Sequence, residues 1–258
     1  EIDLQNTSRA LVLNGTQPVT HNFYQTVGRV QGSGRIQLQG DYYVQAQASG
    51  GGASSTHYQG VIEFVGSNNQ TIFAGNGGVA SGIEINKPSG TVILNGDLIV
   101  GSDWTFTSGS FNAGTYKVKF KSQNTCSPYL NADGTNAFYD LEIDLQNTSR
   151  ALVLNGTQPV THNFYQTQGS ISSGTLQVQG DVYIQANARG GTATIELVGT
   201  GDQTYTVNGG TIPSGTLTIN KSSGTATITG SGTFHNIVVQ QGTLVFSGGS
   251  TYTIDDAD

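Results

Sequence analysis

The stretch EIDLQNTSRALVLNGTQPVTHNFYQT occurs twice, letter for letter, at Glu1–Thr26 and at Glu142–Thr167, 141 residues apart. Identity over that length does not arise from shared composition, so the chain holds one full period of a tandem repeat and most of a second. Diverged matches continue it. RIQLQGDYYVQAQASGG from Arg35 answers TLQVQGDVYIQANARGG from Thr175, IEFVGSNNQT from Ile62 answers IELVGTGDQT from Ile195, and SGIEINKPSGTVILNG from Ser81 answers SGTLTINKSSGTATITG from Ser214. The offset drifts from 141 to 140, 133 and 134, with the changes in Gly- and Ser-rich segments such as Ser49–Thr56, where loops absorb insertions. The units 1–141 and 142–258, the second shorter, are expected to stack as one continuous rod.

Positions that stay apolar between the copies mark the expected core: Ile36 with Leu176, Leu38 with Val178, Val44 with Ile184, Phe64 with Leu197, Ile83 with Leu217 and Leu94 with Ile228. They alternate with Gln, Thr, Asn and Asp, the period of a strand with one face buried and the other wet. Short runs of this kind are separated by SG, NG, GG or DG, and no capped i, i+3, i+4 apolar stripe appears, so little or no helix is expected. Two all-β architectures fit. A string of antiparallel sandwiches is one. The other, favoured here, is a parallel β-solenoid (β-helix), in which a turn of roughly 20 residues cannot bury its own inner face and is stabilised by the next turn. Its inward positions would be pairs such as Leu217/Ile219 and Ala226/Ile228, and about a dozen turns at ~4.8 Å each would give a rod of roughly 60 Å.

Composition narrows the function classes. Charged residues make up 10% of the chain and the formal charge is −7, so ten Lys and Arg spread thinly offer no patch for nucleic acid. No apolar segment is long enough to span a bilayer as a helix. Met is absent throughout, so the chain reads as a processed product or an excised part of a longer protein. Cys126 is the one cysteine, which excludes an intrachain disulfide and reads as an incidental thiol in a loop.

Segments such as SGIEINKPSGTVILNGDLIVGSDWTFTSGSFNAGTYKVKF (Ser81–Phe120), AFYDLEIDLQNTSRALVLNG (Ala137–Gly156) and TFHNIVVQQGTLVFSGG (Thr233–Gly249) resemble the repeats of large bacterial surface and secreted proteins, as in passenger regions of adhesins and related β-helical exoproteins. The resemblance covers nearly the whole chain and is one of low-complexity pattern. It implies an extracellular, cell-surface location, a bacterial source and a right-handed solenoid.

Candidate sites are few. Asp140, Glu142 and Asp144 project from one face of one strand at ~7 Å intervals. They are the candidate metal site, with calcium as the cation, but the favoured reading is a solvated outer face, because calcium loops converge ligands from a tight turn rather than along a strand. Asp255, Asp256 and Asp258 read as a solvated tail. His21, His57, His162 and His235 lack partners at metal-ligand spacing and read as structural. Tyr43 has outward parity and is the expected sugar-stacking ring, while Trp104 and Phe106 have inward parity. Thr225, Thr227 and Thr229 form one outward row. No nucleophile elbow, zinc-protease motif or phosphate loop is present, and Arg9, Arg29, Arg35, Arg150 and Arg189 look dispersed, so no catalytic residue and no cofactor is expected, with calcium at the acidic row as the one candidate.

The resulting expectation is a non-enzymatic structural or adhesive repeat protein that forms or extends a cell-surface fibre. Its partners would be its own ends, stacked end to end or continued in a longer chain, and surface glycans. The alternative is a carbohydrate-binding or polysaccharide-cleaving β-helix. Acids near both ends would make self-assembly salt- or divalent-dependent.

Overall fold

A computed structural model describes residues 5–50, 60–75, 77–122, 127–248 and 251–255 together with the backbone of 2–3. Cys126, His57, Tyr58, Asp256 and Asp258 lie outside the described residues. The chain forms an all-β parallel solenoid of about 11 turns, with no helix in the described part. Among the described residues every pairing between strands is parallel, which rules out the sandwich string, since sandwiches are built of antiparallel hairpins.

Each turn contributes up to three short strands, one to each of three columns that run the length of the rod. Face I stacks 23–25, 42–44, Gln70–Phe73, 92–95 and 110–112. It continues through Asn136, whose side chain accepts the Phe111 N–H, and through the Phe138–Val160 bridge to Thr175–Val178, Thr194–Leu197, 216–219 and 236–239. Face II stacks Leu98–Val100, Lys117–Phe120, 141–143, 164–166, 182–184, 205–207, 228–230 and 244–246. Face III stacks Thr16–Val19, Arg35–Leu38, Val61–Phe64, 82–85, 104–106, Tyr129–Asn131 and 153–155. Phe164 pairs with Val182 and Tyr42 with Ile72, steps of 18 and 30 residues; of the expected insertion near Ser49–Thr56, residues 51–56 lie outside the described residues.

Strand alternation sends one set of side chains inward, where the columns enclose a dry core. All twelve residues of the six apolar pairs named above are buried, as are Trp104 and Phe106. Trp104, Phe106, Phe111 and Phe138 pack together with ring centroids 5.2–6.0 Å apart, so the end of the first repeat is its most aromatic section. Burial of this kind contributes roughly 25 cal/mol per Å² of apolar surface. In a solenoid nearly all of it comes from contact with the neighbouring turn.

The two repeats are out of phase with the turns. On face III, six pairing steps lead from Gln17 through Ile36, Ile62, Ile83, Trp104 and Leu130 to Leu154. Gln158, the copy of Gln17, comes four residues later and lies on face I beside the Phe138–Val160 bridge. One repeat therefore winds six turns plus one face. Equivalent strands of the two copies lie on different columns of the same rod: Thr16–Val19 on face III against Thr157–Val160 on face I.

Candidate functional site

A surface of linked charges lies on face II, around the strand Asp140–Asp144. Its alternation points Leu141 and Ile143 inward and the three carboxylates outward, as the sequence implies. They do not converge. Lys117 and Lys119 on the preceding turn reach up to the same row: Lys117 Nζ lies 3.0 Å from Glu142 Oε2, and Lys119 Nζ lies 3.0 Å from Glu142 Oε1 and 3.5 Å from Asp144 Oδ2. Asp140 Oδ1 sits 2.7 Å from His162 Nδ1 and also accepts the Asn163 N–H at 2.8 Å. Burial acts to raise the Glu142 carboxyl, but hydrogen bonds and charge from Lys117 and Lys119 outweigh it and hold the group below the usual carboxylate range. The face carries countercharge of its own for Glu142 and Asp144. Among the described residues no group of three or more His, Cys, Asp or Glu is placed to hold a metal.

Aromatic rings extend this surface along the axis. Lys117 Nζ lies 4.9 Å from the centroid of Tyr165, a cation–π distance, and Tyr165 stacks on Tyr183 at 5.0 Å. Tyr139 stacks on His162 at 4.5 Å. Tyr43 points outward on face I, stacked between Tyr24 at 4.4 Å and Phe73 at 4.5 Å with interplanar angles of 15° and 11°. Both faces of its ring are therefore covered by neighbouring turns, and the ladder offers solvent its edges. A sugar stacks on an open ring face, which Tyr43 does not present in this arrangement. Tyr42 is fully buried and Tyr129 is exposed. The Thr225, Thr227 and Thr229 row is half-buried, with Thr229 Oγ1 donating at 3.2 Å to Thr206 Oγ1 on the turn before.

Two buried cations have no counterpart in the expected sites. Lys87 and Lys221 are 2% and 0% exposed, at matching positions in NKPSG and NKSSG. Lys87 Nζ donates to Gly66 O, Asn68 O at 2.9 Å and Gln70 Oε1 at 2.6 Å, and Lys221 Nζ donates to Gly201 O at 2.8 Å and to Gln203 Oε1. The glutamines pass the link one turn further: Gln70 Nε2 donates to Leu38 O and Gly40 O, and Gln203 Nε2 to Val178 O and Gly180 O. Each lysine thus ties three consecutive turns through one corner of the rod. Burial lowers the pKa of both ammonium groups, with Asp202 acting in the opposite direction on Lys221. One signal in the sequence points to them: a lysine retained at matching positions of diverged repeats in a chain poor in charge.

Glutamate ladders complete the outer faces. Glu63 accepts from Gln37 at 3.1 Å and Asn86 at 2.8 Å, and Glu196 accepts from Gln177 and Asn220, both at 2.8 Å. Arg35, which looked isolated in the sequence, lies 3.2 Å from Glu63 and 2.9 Å from Glu84. These networks satisfy polar groups between turns. No protein-family model, curated protein or solved structure matches this chain.

Proposed function

We propose that the chain is a structural rod of an extracellular, cell-surface fibre, whose work is extension and repeated presentation of its outer faces. The supporting observation is the junction between the repeats. Lys117–Phe120 of the first unit pairs with Asp140–Asp144, Tyr129–Asn131 with 153–155, and Phe138 with Val160, so one unit receives the next with no break in the strand columns or the core. Such a junction can recur. Ion pairs, amide ladders and stacked rings on the outside all run between turns, which suits stiffness better than turnover of a substrate.

The location and the adhesive role rest on the resemblance of the repeats to those of surface and secreted proteins. Negative-stain microscopy of the purified chain over a range of concentrations tests the reading, together with a glycan-binding screen. The fibre predicts elongated particles that lengthen with concentration. Short monodisperse rods that bind one preferred sugar, or cleave a polysaccharide, would instead establish the carbohydrate-directed alternative.

A further inference from the structure

Two stacks of outward tyrosines differ from the other aromatic contacts of the rod. Tyr24 pairs in parallel register with Tyr43, and their rings stack with centroids 4.4 Å apart and an interplanar angle of 15°. Tyr165 and Tyr183 repeat the arrangement on face II at 5.0 Å and 7°. Among the described residues no other ring contact joins tyrosine to tyrosine: Tyr42 packs against Phe23 and Phe64, Tyr139 on His162, Tyr205 on Phe234 and Tyr252 on Phe246.

The diverged repeats keep this pair and lose its neighbour. DYYVQAQA from Asp41 answers DVYIQANA from Asp181, so the inward Tyr42 stands opposite Val182 while the outward Tyr43 is matched by Tyr183. The exchange at the inward position leaves a mark. The Tyr42 hydroxyl donates to Gln25 Oε1, and the equivalent Gln166 Oε1 is buried without a hydrogen-bond donor among the described residues. A phenol with a buried hydrogen bond is thus dispensable between the copies, whereas the phenol on the outer surface is retained.

The two stacks also share their surroundings. Tyr183 donates to Asp181 Oδ2 at 3.1 Å, and Asp41 is the equivalent acid acting on Tyr43. Tyr165 accepts from Asn163 Nδ2 at 3.1 Å. Each stack ends after two phenols, because the next rung is Phe73 above Tyr43 and Thr206 above Tyr183, and neither side chain forms a phenoxyl radical.

We propose that the Tyr24/Tyr43 and Tyr165/Tyr183 stacks are sites of oxidative tyrosine cross-linking, one covalent bond per repeat between successive turns. A one-electron oxidant of the haem-peroxidase class, acting with hydrogen peroxide at the solvent-facing ring edges, takes one electron and one proton from each phenol. Asp181 stands where it accepts the proton of Tyr183. The two radicals join through the carbons beside their hydroxyls, and the hydrogens on those carbons move to the oxygens and restore both phenols. Two hydrogens leave the protein, and one peroxide becomes two waters. A biaryl bond leaves the ring centres about as far apart as these stacks hold them, and the side chains reach it by turning about χ1 and χ2. Stacking supplies the proximity that makes coupling within the chain outrun coupling between chains. Each bond joins residues 19 or 18 positions apart and so restrains the unwinding of its turn. The inference concerns turns of one chain and does not depend on the fibre reading.

The test treats the purified 1–258 chain with a haem peroxidase and hydrogen peroxide and follows the monomer by dityrosine fluorescence, intact mass and peptide mapping. The expected product is a monomer lighter by two hydrogens per cross-link, with bonds mapped to Tyr24–Tyr43 and Tyr165–Tyr183, formed at a rate independent of protein concentration. Tyr43→Phe and Tyr183→Phe should each roughly halve the monomer's dityrosine fluorescence, and the double variant should lose it, since the two stacks are independent. In urea the same treatment should no longer select these pairs. An oxidised monomer of unchanged mass would overturn the inference. So would bonds mapped to other tyrosines such as the exposed Tyr129, undiminished cross-linking in the double variant, or the same mapping in the unfolded chain.

Discussion

Glu142 shows how a single residue on this rod is governed by the turn beneath it. Burial alone would favour its neutral form, yet two lysines two residues apart on the preceding strand keep it ionised. Its folded pKa lies below the ordinary value of 4.5, so its contribution to stability is present above that pH and is lost as pH falls through the folded pKa. Glu63, held down by Asn86, Gln37 and Arg35 against its own burial, has the same sign. Acid titration followed by circular dichroism should therefore show stability falling below about pH 4.5, with a shallower fall in Glu142→Gln. Replacing Lys117 and Lys119 together by Met should cost about 1–3 kcal/mol in a denaturant titration, because the buried carboxylate loses both charged donors and keeps the Thr167 hydroxyl at 3.1 Å. At the corner clamps, Gly109 holds φ at +95°, and a Cβ there would lie 2.7 Å from that of Lys87. Gly109→Ala should cost about 1–3 kcal/mol by the same measurement, from backbone strain and the crowded lysine.

Among the strands, the decisive variable is whether a rung has neighbours on both sides. Leu152→Ala should cost about 2–5 kcal/mol, whereas Leu11→Ala, the same substitution in the same local sequence, should cost under ~1 kcal/mol. Paired chemical denaturation curves check the contrast. This scale also shows what could be read from the chain alone. Strand parity was legible because alternation is a local property: the apolar partners of Ile36, Phe64 and Ile83 in the second repeat identified the core, and Trp104 and Phe106 were placed inward. Pairing between turns was not legible, since it joins residues 18 to 30 positions apart through loops of unequal length. For that reason Asp140, Glu142 and Asp144 were recognised as one outward row while the lysines that pair with Glu142 and Asp144, and His162 beside Asp140, were missed. Tyr43 was likewise placed outward with its covering rings, Tyr24 and Phe73, unseen.

At the scale of the molecule, the mismatch between a 141-residue repeat and the turns makes the rod more than a stack of equivalent units. Six turns plus one face per unit set the Tyr24 and Tyr43 stack on face I and the equivalent Tyr165 and Tyr183 stack on face II. The Gln37, Glu63 and Asn86 ladder on face III has its copy, Gln177, Glu196 and Asn220, on face I. Core continuity across the junction should make the two units unfold together. Phe138, buried between them against Trp104, is the place to break it. Phe138→Ala should cost about 3–5 kcal/mol and shift the Trp104 fluorescence transition and the loss of β circular dichroism to the same lower midpoint.

Disulfide mapping around Glu142 in a Cys126→Ser background tests the stacked rod most directly. Glu142 faces Lys119 on one side and Tyr165 on the other, each in parallel register. Mild oxidation should close the bond in Lys119→Cys/Glu142→Cys and, in a separate protein, in Glu142→Cys/Tyr165→Cys, both within monomers. Failure of the first pair with closure of the second would mean that the repeats fold apart, and failure of both would mean that the turns are not stacked in parallel.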